Sequence, residues 1–461
     1  MLRIIFVFGI IAVGVFYSFQ GPFYALLFYL WNAYFRPEYW IWNDFLYGMR
    51  LSLTIGAFLL ISALPAIQRI RFSRQLVLVL LFLVHSGVSL FFSEHVDRAT
   101  VYWVEFMKII VITVLMTILV DSVSRFRLTV LIIAFSLGFE AAKQGWAQFV
   151  LNPGATNNNP HLMLGDNNGV AMGMMMLIPL FMALSQTATS RWERYIDRFF
   201  IVGVVYRGIS TYSRGGFLAA ALVGAVSLWR SKHKIRTVLM VVVVAWAISS
   251  VMPQRFWDRM DSITASEEER DSSSASRIYF WRLATQMASD HPFLGVGFNS
   301  YRFSFDRYDV TDGAHGGSRT VHSSWFGVLS ELGYPGFLLF IAILVGAVLK
   351  CHRIRVQARR NNLTDIATFA THMQTSVLVF MLGGTFLSAQ YLELMWHMVG
   401  LTIALENIHA RTMADLAAGA QAPAPATPVA EGTAAGSAVP MIPRAAGRPK
   451  ASGEGRRRYF G

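Results

Sequence analysis

Phe337-Leu-Leu-Phe-Ile-Ala-Ile-Leu-Val-Gly-Ala-Val-Leu349 contains no charged side chain and stops at Lys350. Extended back to Ser323, the run is roughly 27 residues, or about 40 Å if helical at about 1.5 Å per residue. The hydrocarbon core of a bilayer is only about 30 Å thick. A straight helix here, its inner end fixed by Lys350, carries His322 to or just beyond the opposite membrane surface. Thr237–Pro253 is a second stretch without charge.

Working outward, the same pattern recurs at Ile4–Ser18, Pro22–Phe35, Leu51–Pro65, Gln75–Phe92, Val101–Val120, Leu128–Val150, Gly169–Leu184, Ile196–Ile209, Gly215–Trp229, Ile366–Ser388 and Tyr391–Leu405. Of the 461 residues, 54% are hydrophobic and only 15% charged, against roughly 25% charged in soluble domains. The expected fold is therefore an all-α polytopic transmembrane helix bundle of twelve or thirteen spans. The run after Arg3 lacks a small-residue cleavage site and reads as the first membrane segment.

The net charge of +13 would suggest nucleic acid in a soluble protein. Here it is explained by retention of Lys and Arg in inner loops, and no nucleic-acid partner is expected. Arg69, Arg71 and Arg74, then Arg125 and Arg127, then Arg230, Lys232, Lys234 and Arg236, and finally Lys350, Arg353, Arg355, Arg359 and Arg360 alternate along the chain so that all can share one side. Ser93–Thr100, Asn152–Asn168 and Pro253–His322 then face outward. Five regions result: N-terminal transmembrane helices (1–150), further transmembrane helices (151–252), a large outer loop carrying short helices (253–322), C-terminal transmembrane helices (323–409) and a tail (410–461). The loop has an acidic, Ser-rich segment, Ser266–Ser276, and an amphipathic stretch, Arg277–Ser289. The tail is rich in Ala, Pro and Gly with a basic end, Arg456–Arg458, and is expected to be disordered.

The chain lacks a Walker A loop, HExxH, GxSxG and a Rossmann glycine pattern, so nucleotide hydrolysis and zinc proteolysis have no support. A single cysteine, Cys351, excludes an internal disulfide and a CxxC site. What remains is a few polar residues at the outer boundary. A neutral His322 imidazole can accept a proton from a hydroxyl nucleophile, although a cap or interfacial histidine is the commoner occupant of such a position. Ser323 and Trp325 can orient the ring or a sugar. In Thr211-Tyr-Ser-Arg-Gly-Gly216, Arg214 stands at an outer helix end with Arg207 close by. Guanidinium groups bind phosphate bidentately, and Gly215 and Gly216 let a ligand or a helix approach; a snorkelling arginine is the alternative. Arg277 and Trp281 precede His291-Pro-Phe-Leu-Gly-Val-Gly-Phe-Asn299; alone, Arg277 reads as a surface charge. Lys143 and Glu140 share a helix face within a span, as do Lys108 and Glu105, either as functional groups or as self-satisfied pairs. Asp166, in Gly165-Asp-Asn-Asn168, is a candidate helix cap or supporting residue.

These residues, from Tyr212 to about Gly336, resemble the O-antigen ligase and O-antigen polymerase superfamily. The ligases show a His-[Asn/Ser/Gln]-x9-Gly-x-x-[Gly/Thr/Tyr] pattern, which His322, Ser323, Gly333 and Gly336 fit. Ser213-Arg-Gly-Gly216 and the Arg277/Trp281 pair resemble it too. Asn32-Ala-Tyr-Phe-Arg-Pro37 and Gly165–Asn168 are similar to one branch, the O-glycosylation ligases associated with exosortase A systems.

The resemblance implies an enzyme of the bacterial inner membrane that needs neither nucleotide, metal nor other cofactor. It would move a glycan from an undecaprenyl diphosphate carrier to a hydroxyl of a protein, glycan or lipid acceptor at the periplasmic face. His322 would be the base, and Arg214 and Arg277 would hold the diphosphate. Arg207 and Lys143 join the diphosphate-binding candidates on position and charge, and Ser323, Asp166 and Trp281 are supporting candidates. A polymerase of the same superfamily and a transporter of lipid-linked glycan remain open.

Overall fold

The computed structural model describes residues 2–41, 48–231, 233–261 and 272–421. Most of the acidic Ser266–Ser276 segment and the chain beyond Gln421 lie outside the described residues. The protein is an all-α polytopic membrane bundle, and among the described residues its one β-type pairing is an isolated bridge between His161 and Gly165. Each of the thirteen expected spans falls on a helix. Seven described helices are long and apolar enough to cross a membrane on their own. The others are shorter, as are Pro22–Phe35 with 14 residues and Arg214–Arg230 with 17, or carry charge within the span, as does Val123–Leu151 with Glu140 and Lys143.

Asn167–Gln186 is the most deeply enclosed helix, buried on nearly every face, as befits one apolar all round. It packs against Arg191–Ile209, Arg214–Arg230 and Thr364–Gly383. A second focus is aromatic. Phe82, Phe106, Phe340 and Trp396 come from four helices and are fully buried, with Phe82 and Phe106 rings 5.1 and 5.2 Å from Trp396. By contrast, Lys234–Val251 turns Leu239, Val242 and Trp246 outward, at 65%, 57% and 71% exposure. In a membrane protein such a surface is solvated by lipid tails.

The described residues of the 253–322 loop include a small core of their own. Gln254–Asp261, Ser272–Asp290 and Tyr301–Tyr308 are helical. Phe280, Leu283, Ala284 and Met287 of the second pack on Tyr301 and Phe305 of the third and on Val321. The apolar positions at 280, 283, 284 and 287 have helical spacing, which accounts for the amphipathic stretch seen in the sequence.

Three expectations are corrected. The Ser324–Arg360 helix is not straight: at Gly333 the backbone takes φ 65° and ψ −170°, and Pro335 follows. A short helix ending at Leu332 precedes the break, and the charge-free run Phe337–Leu349 lies in the helix after it. Secondly, the expected span Ile366–Ser388 ends as a helix at Gly383, where a Gly383-Gly384 pair favours termination. Residues 384–392 form an irregular segment instead. Thirdly, the tail does not become irregular at residue 410. Helix Glu393–Gln421 continues through it, because Arg411–Gln421 contains strong helix formers and its first proline is Pro423.

The break at Gly333 is held by polar contacts on every side. Val296 N–H donates to Ser330 O at 2.9 Å, Gly297 N–H to Glu331 O at 3.2 Å and Tyr334 N–H to Pro292 O at 2.9 Å. From helix Arg74–Phe91, His85 Nε2 donates to Leu332 O at 2.8 Å. Ser89 Oγ lies between Leu294 O and Glu331 O, 2.7 and 2.9 Å away. A Cβ on residue 333 would stand 2.5 Å from Pro292 O. Gly333→Ala should therefore destabilise the protein by at least the ~1–3 kcal/mol that such backbone strain costs. Gly346→Ala, where a Cβ meets open space, should be neutral or stabilising. Thermal unfolding in detergent checks this, and equal midpoints for the two variants would contradict it.

Candidate functional site

Two helix starts of the same construction frame the site. Tyr212 has φ 56° and is followed by Ser213, whose hydroxyl caps Gly216 N–H at 3.2 Å. His322 has φ 51° and is followed by Ser323, whose hydroxyl faces Phe326 N–H at 3.5 Å. In both, a left-handed residue, uncommon outside glycine, reverses the chain just before a serine cap. Arg214 thereby becomes the first residue of its helix, at its positive end. Asn168 Oδ1 accepts from Ser213 Oγ at 2.8 Å, which ties this helix start to that of Asn167–Gln186. Asp166 caps the latter, accepting from Gly169 N–H at 3.0 Å, so the cap expectation for Asp166 holds.

Arg214 and Arg277 line one cavity of about 140 Å³, with Asn168, Gly215 and Phe386 among its walls. That is room for about five waters, or for a small polyatomic anion. The two glycines differ. A Cβ at 216 would sit 2.5 Å from Ala171 Cβ, so Gly216 serves helix packing; at 215 it would meet nothing closer than Phe386 at 3.8 Å, so Gly215 leaves space in the cavity. Met172 and Leu387 are shared with a second cavity of about 520 Å³. This one runs past Thr320 and Val321, directly before His322, and is lined by Tyr102, Asn299, Tyr301 and Gln390.

His322 is half-buried, its Nε2 3.2 Å from Thr320 Oγ1. Its ring lies 6.3 Å from that of Phe280. Burial first, then the positive charges of Arg277 and Arg319, hold the imidazole below its usual range, with Asp166 opposing. His322, Arg277 and Asp166 are thus within electrostatic reach of one another. Burial and like charge thus favour the neutral ring, the form able to accept a proton.

Other sequence candidates sit elsewhere. Arg207 is buried, and its donors go to Gln144 Oε1 at 3.1 Å, Asn157 O at 3.1 Å and Asn159 O at 2.8 Å. It anchors the 152–166 loop and does not line the Arg214 cavity. Lys143 pairs with Glu140 at 2.6 Å and lies near the Trp40 ring, the self-satisfied arrangement. Lys108 pairs likewise with Glu105 at 2.6 Å. Trp281 stacks on Phe326 at 5.2 Å, linking the Arg277 helix to the helix after His322. Ser323 acts as the cap described above.

Sequence reasoning passed over the 384–392 segment, because its apolar residues extend a membrane span. Phe386 and Leu387 form walls of the first cavity. Ser324 pins the segment, with its Oγ 2.7 Å from Leu387 O and 3.0 Å from Ala389 N. Buried Glu331 accepts from Gln390 Nε2 at 3.1 Å and Tyr391 OH at 2.9 Å. The Gly383-Gly384 pair was the available signal.

Residues 199–341 match the family described as O-antigen ligase. Residues 1–189 match a family of unknown function (DUF5935). No curated protein matches the chain. The cavity arginines and His322 fall within the ligase match, and Lys143 outside it.

A histidine-selective NMR titration should place His322 below about 6.5, the ordinary value. Arg319→Gln, which removes a positive neighbour, should move its midpoint upward. A wild-type midpoint at or above that value, or no movement in the variant, would contradict the electrostatic account.

Proposed function

The chain belongs to the O-antigen ligase superfamily, and from that premise we propose a glycan ligase that uses an undecaprenyl diphosphate-linked donor at the periplasmic face. At the coarser level it is a membrane enzyme of the glycan ligase or polymerase type, acting on a lipid-linked glycan. The observation that carries the finer reading is the meeting of Arg214 and Arg277 in one cavity beside a histidine kept neutral.

In this reading the diphosphate occupies the 140 Å³ cavity, between two guanidinium groups at a helix N-terminus. Such an end favours anions by its dipole. The sugar and the incoming acceptor take the adjoining 520 Å³ cavity, whose tyrosines, Asn299 and Gln390 suit a glycan. The acceptor oxygen attacks the anomeric carbon and gives its proton to His322. The bond from that carbon to the phosphate oxygen breaks, and undecaprenyl diphosphate leaves with the electron pair. Its charge is spread over the arginines, which stabilise it most where it develops. The positive-inside pattern supports the orientation: arginine-rich loops inward, the Pro253–His322 loop outward. The exosortase-associated branch, with protein O-glycosylation, is part of this proposal and rests on the N-terminal motifs. The His-Ser-x9-Gly pattern supports ligase over polymerase. A transporter would have no use for a base fixed outside the bilayer.

Arg214→Lys and Arg277→Lys keep the charge but lose paired donation. Each should lower transfer by about tenfold to a hundredfold, the equivalent of one charge-assisted hydrogen bond of roughly 1.5–3 kcal/mol. Transfer in vitro from purified lipid-linked donor is the measurement. Full activity in both variants would remove the diphosphate clamp.

A further inference from the structure

The helices that shape the Arg214 cavity end at a second cationic cavity on the opposite face. Helix Arg214–Arg230 separates its two terminal arginines by about 24 Å at ~1.5 Å per residue. Asn167–Gln186 packs beside it. Val226, Arg230, Met182 and Gln186 at their far ends, with Arg359 and Met240, line a cavity of about 680 Å³. Among the described residues no acidic side chain lines it.

Arg230 is the centre of this cavity's charge. Its Nη1 donates to Thr371 O at 2.9 Å and Thr375 Oγ1 at 3.0 Å, and Nη2 to Gln374 Oε1 at 2.6 Å. Its Nε is buried with no partner. All these acceptors are neutral, and Arg355 and Arg359 lie close enough to repel it. A partly buried guanidinium with like charges nearby and no carboxylate partner among the described residues is costly unless an anion joins it. The remaining walls point to the kind of anion. Met182, Val226, Met240 and Ala367 are apolar, and the other walls are hydroxyl, amide and imidazole side chains. Met240 belongs to Lys234–Val251, whose Leu239, Val242 and Trp246 are exposed, so the cavity adjoins an apolar surface suited to lipid. Arginines and hydroxyl and amide groups at one end, with a few apolar side chains beside the lipid-exposed helix, fit an amphiphile with a phosphate head.

We propose that this cavity binds an anionic membrane glycerophospholipid, its phosphate at Arg230 and Arg359 and its acyl chains along Val226 and Met240. The site is separate from the transfer chemistry and does not rest on it. The test uses the full chain in nanodiscs of phosphatidylcholine with added phosphatidylglycerol, with bound lipid counted by native mass spectrometry. Arg230→Gln and Arg359→Gln should each weaken retention of phosphatidylglycerol by about fivefold, the loss of one basic contact near a membrane surface. Arg360→Gln, outside the cavity, should retain it as the wild type does. Arg359 is exposed, so that variant keeps the test valid even where Arg230→Gln fails to fold. Equal retention by the wild type, Arg230→Gln and Arg359→Gln would overturn the site. Displacement of the lipid by millimolar inorganic phosphate would overturn its assignment to a lipid.

Discussion

At Gly333 the helix that carries His322 gives up its own hydrogen bonds, and the rest of the site depends on how those groups are recovered. In the low dielectric of a membrane protein an unsatisfied carbonyl costs several kcal/mol. Here Ser330, Glu331 and Leu332 carbonyls are taken by Val296, Gly297, Ser89 and His85. These partners come from the outer loop and from helix Arg74–Phe91, so the break joins three parts of the chain. Glu331 adds a fourth through Gln390 and Tyr391. The short helix after His322 is consequently fixed independently of the membrane crossing that follows it. Held in this way, a histidine at a strained φ of 51° keeps one position, which a general base requires.

Electrostatics gives the site its direction. Arg214 opens a helix, where the dipole already favours negative charge, and Arg277 reaches the same cavity from the outer-loop helix. Burial, and then repulsion from Arg277, one of the two cations that attract an anion, also lower the proton affinity of His322. The base is thus kept neutral while the leaving group's charge is compensated. Arg207 and the Asp166 cap contribute at one remove, by holding the 152–166 loop and the start of Asn167–Gln186.

Much of the fold was legible because membrane helices announce themselves: every apolar run found in the sequence falls on a helix over most of its length, and the loops divide by charge. Pro22–Phe35 matches to the residue. The Arg214 and His322 segments were legible through motifs whose glycines and serines have local roles. Gly333 was visible as a motif position, yet its consequence was not, since a helical reading of Ser323–Leu349 treats glycine as a tolerated interruption. The positive φ follows from contacts with Pro292 and Phe293, some forty positions away in sequence, which periodicity does not report. The 384–392 segment was hidden for a similar reason, its apolar residues being indistinguishable from a span until Ser324 captures it. Arg207 and Lys143 showed charge in the sequence but not direction, and the partners they have, the 152–166 loop with Gln144 and Glu140, are set by the fold.

The most direct test of the account concerns His322 as a base separate from donor binding. Asn tolerates the left-handed backbone better than Ala and cannot accept a proton at neutral pH, so His322→Asn removes the base with little strain. Transfer in vitro and binding of the lipid-linked donor should be measured on the same purified variant. Transfer should fall by about a hundredfold or more, within the 10²–10⁴ that general base catalysis supplies, while donor binding stays near the wild-type value. Near-normal transfer by folded His322→Asn would contradict the mechanism, and loss of donor binding together with transfer would make His322 a ligand of the diphosphate instead.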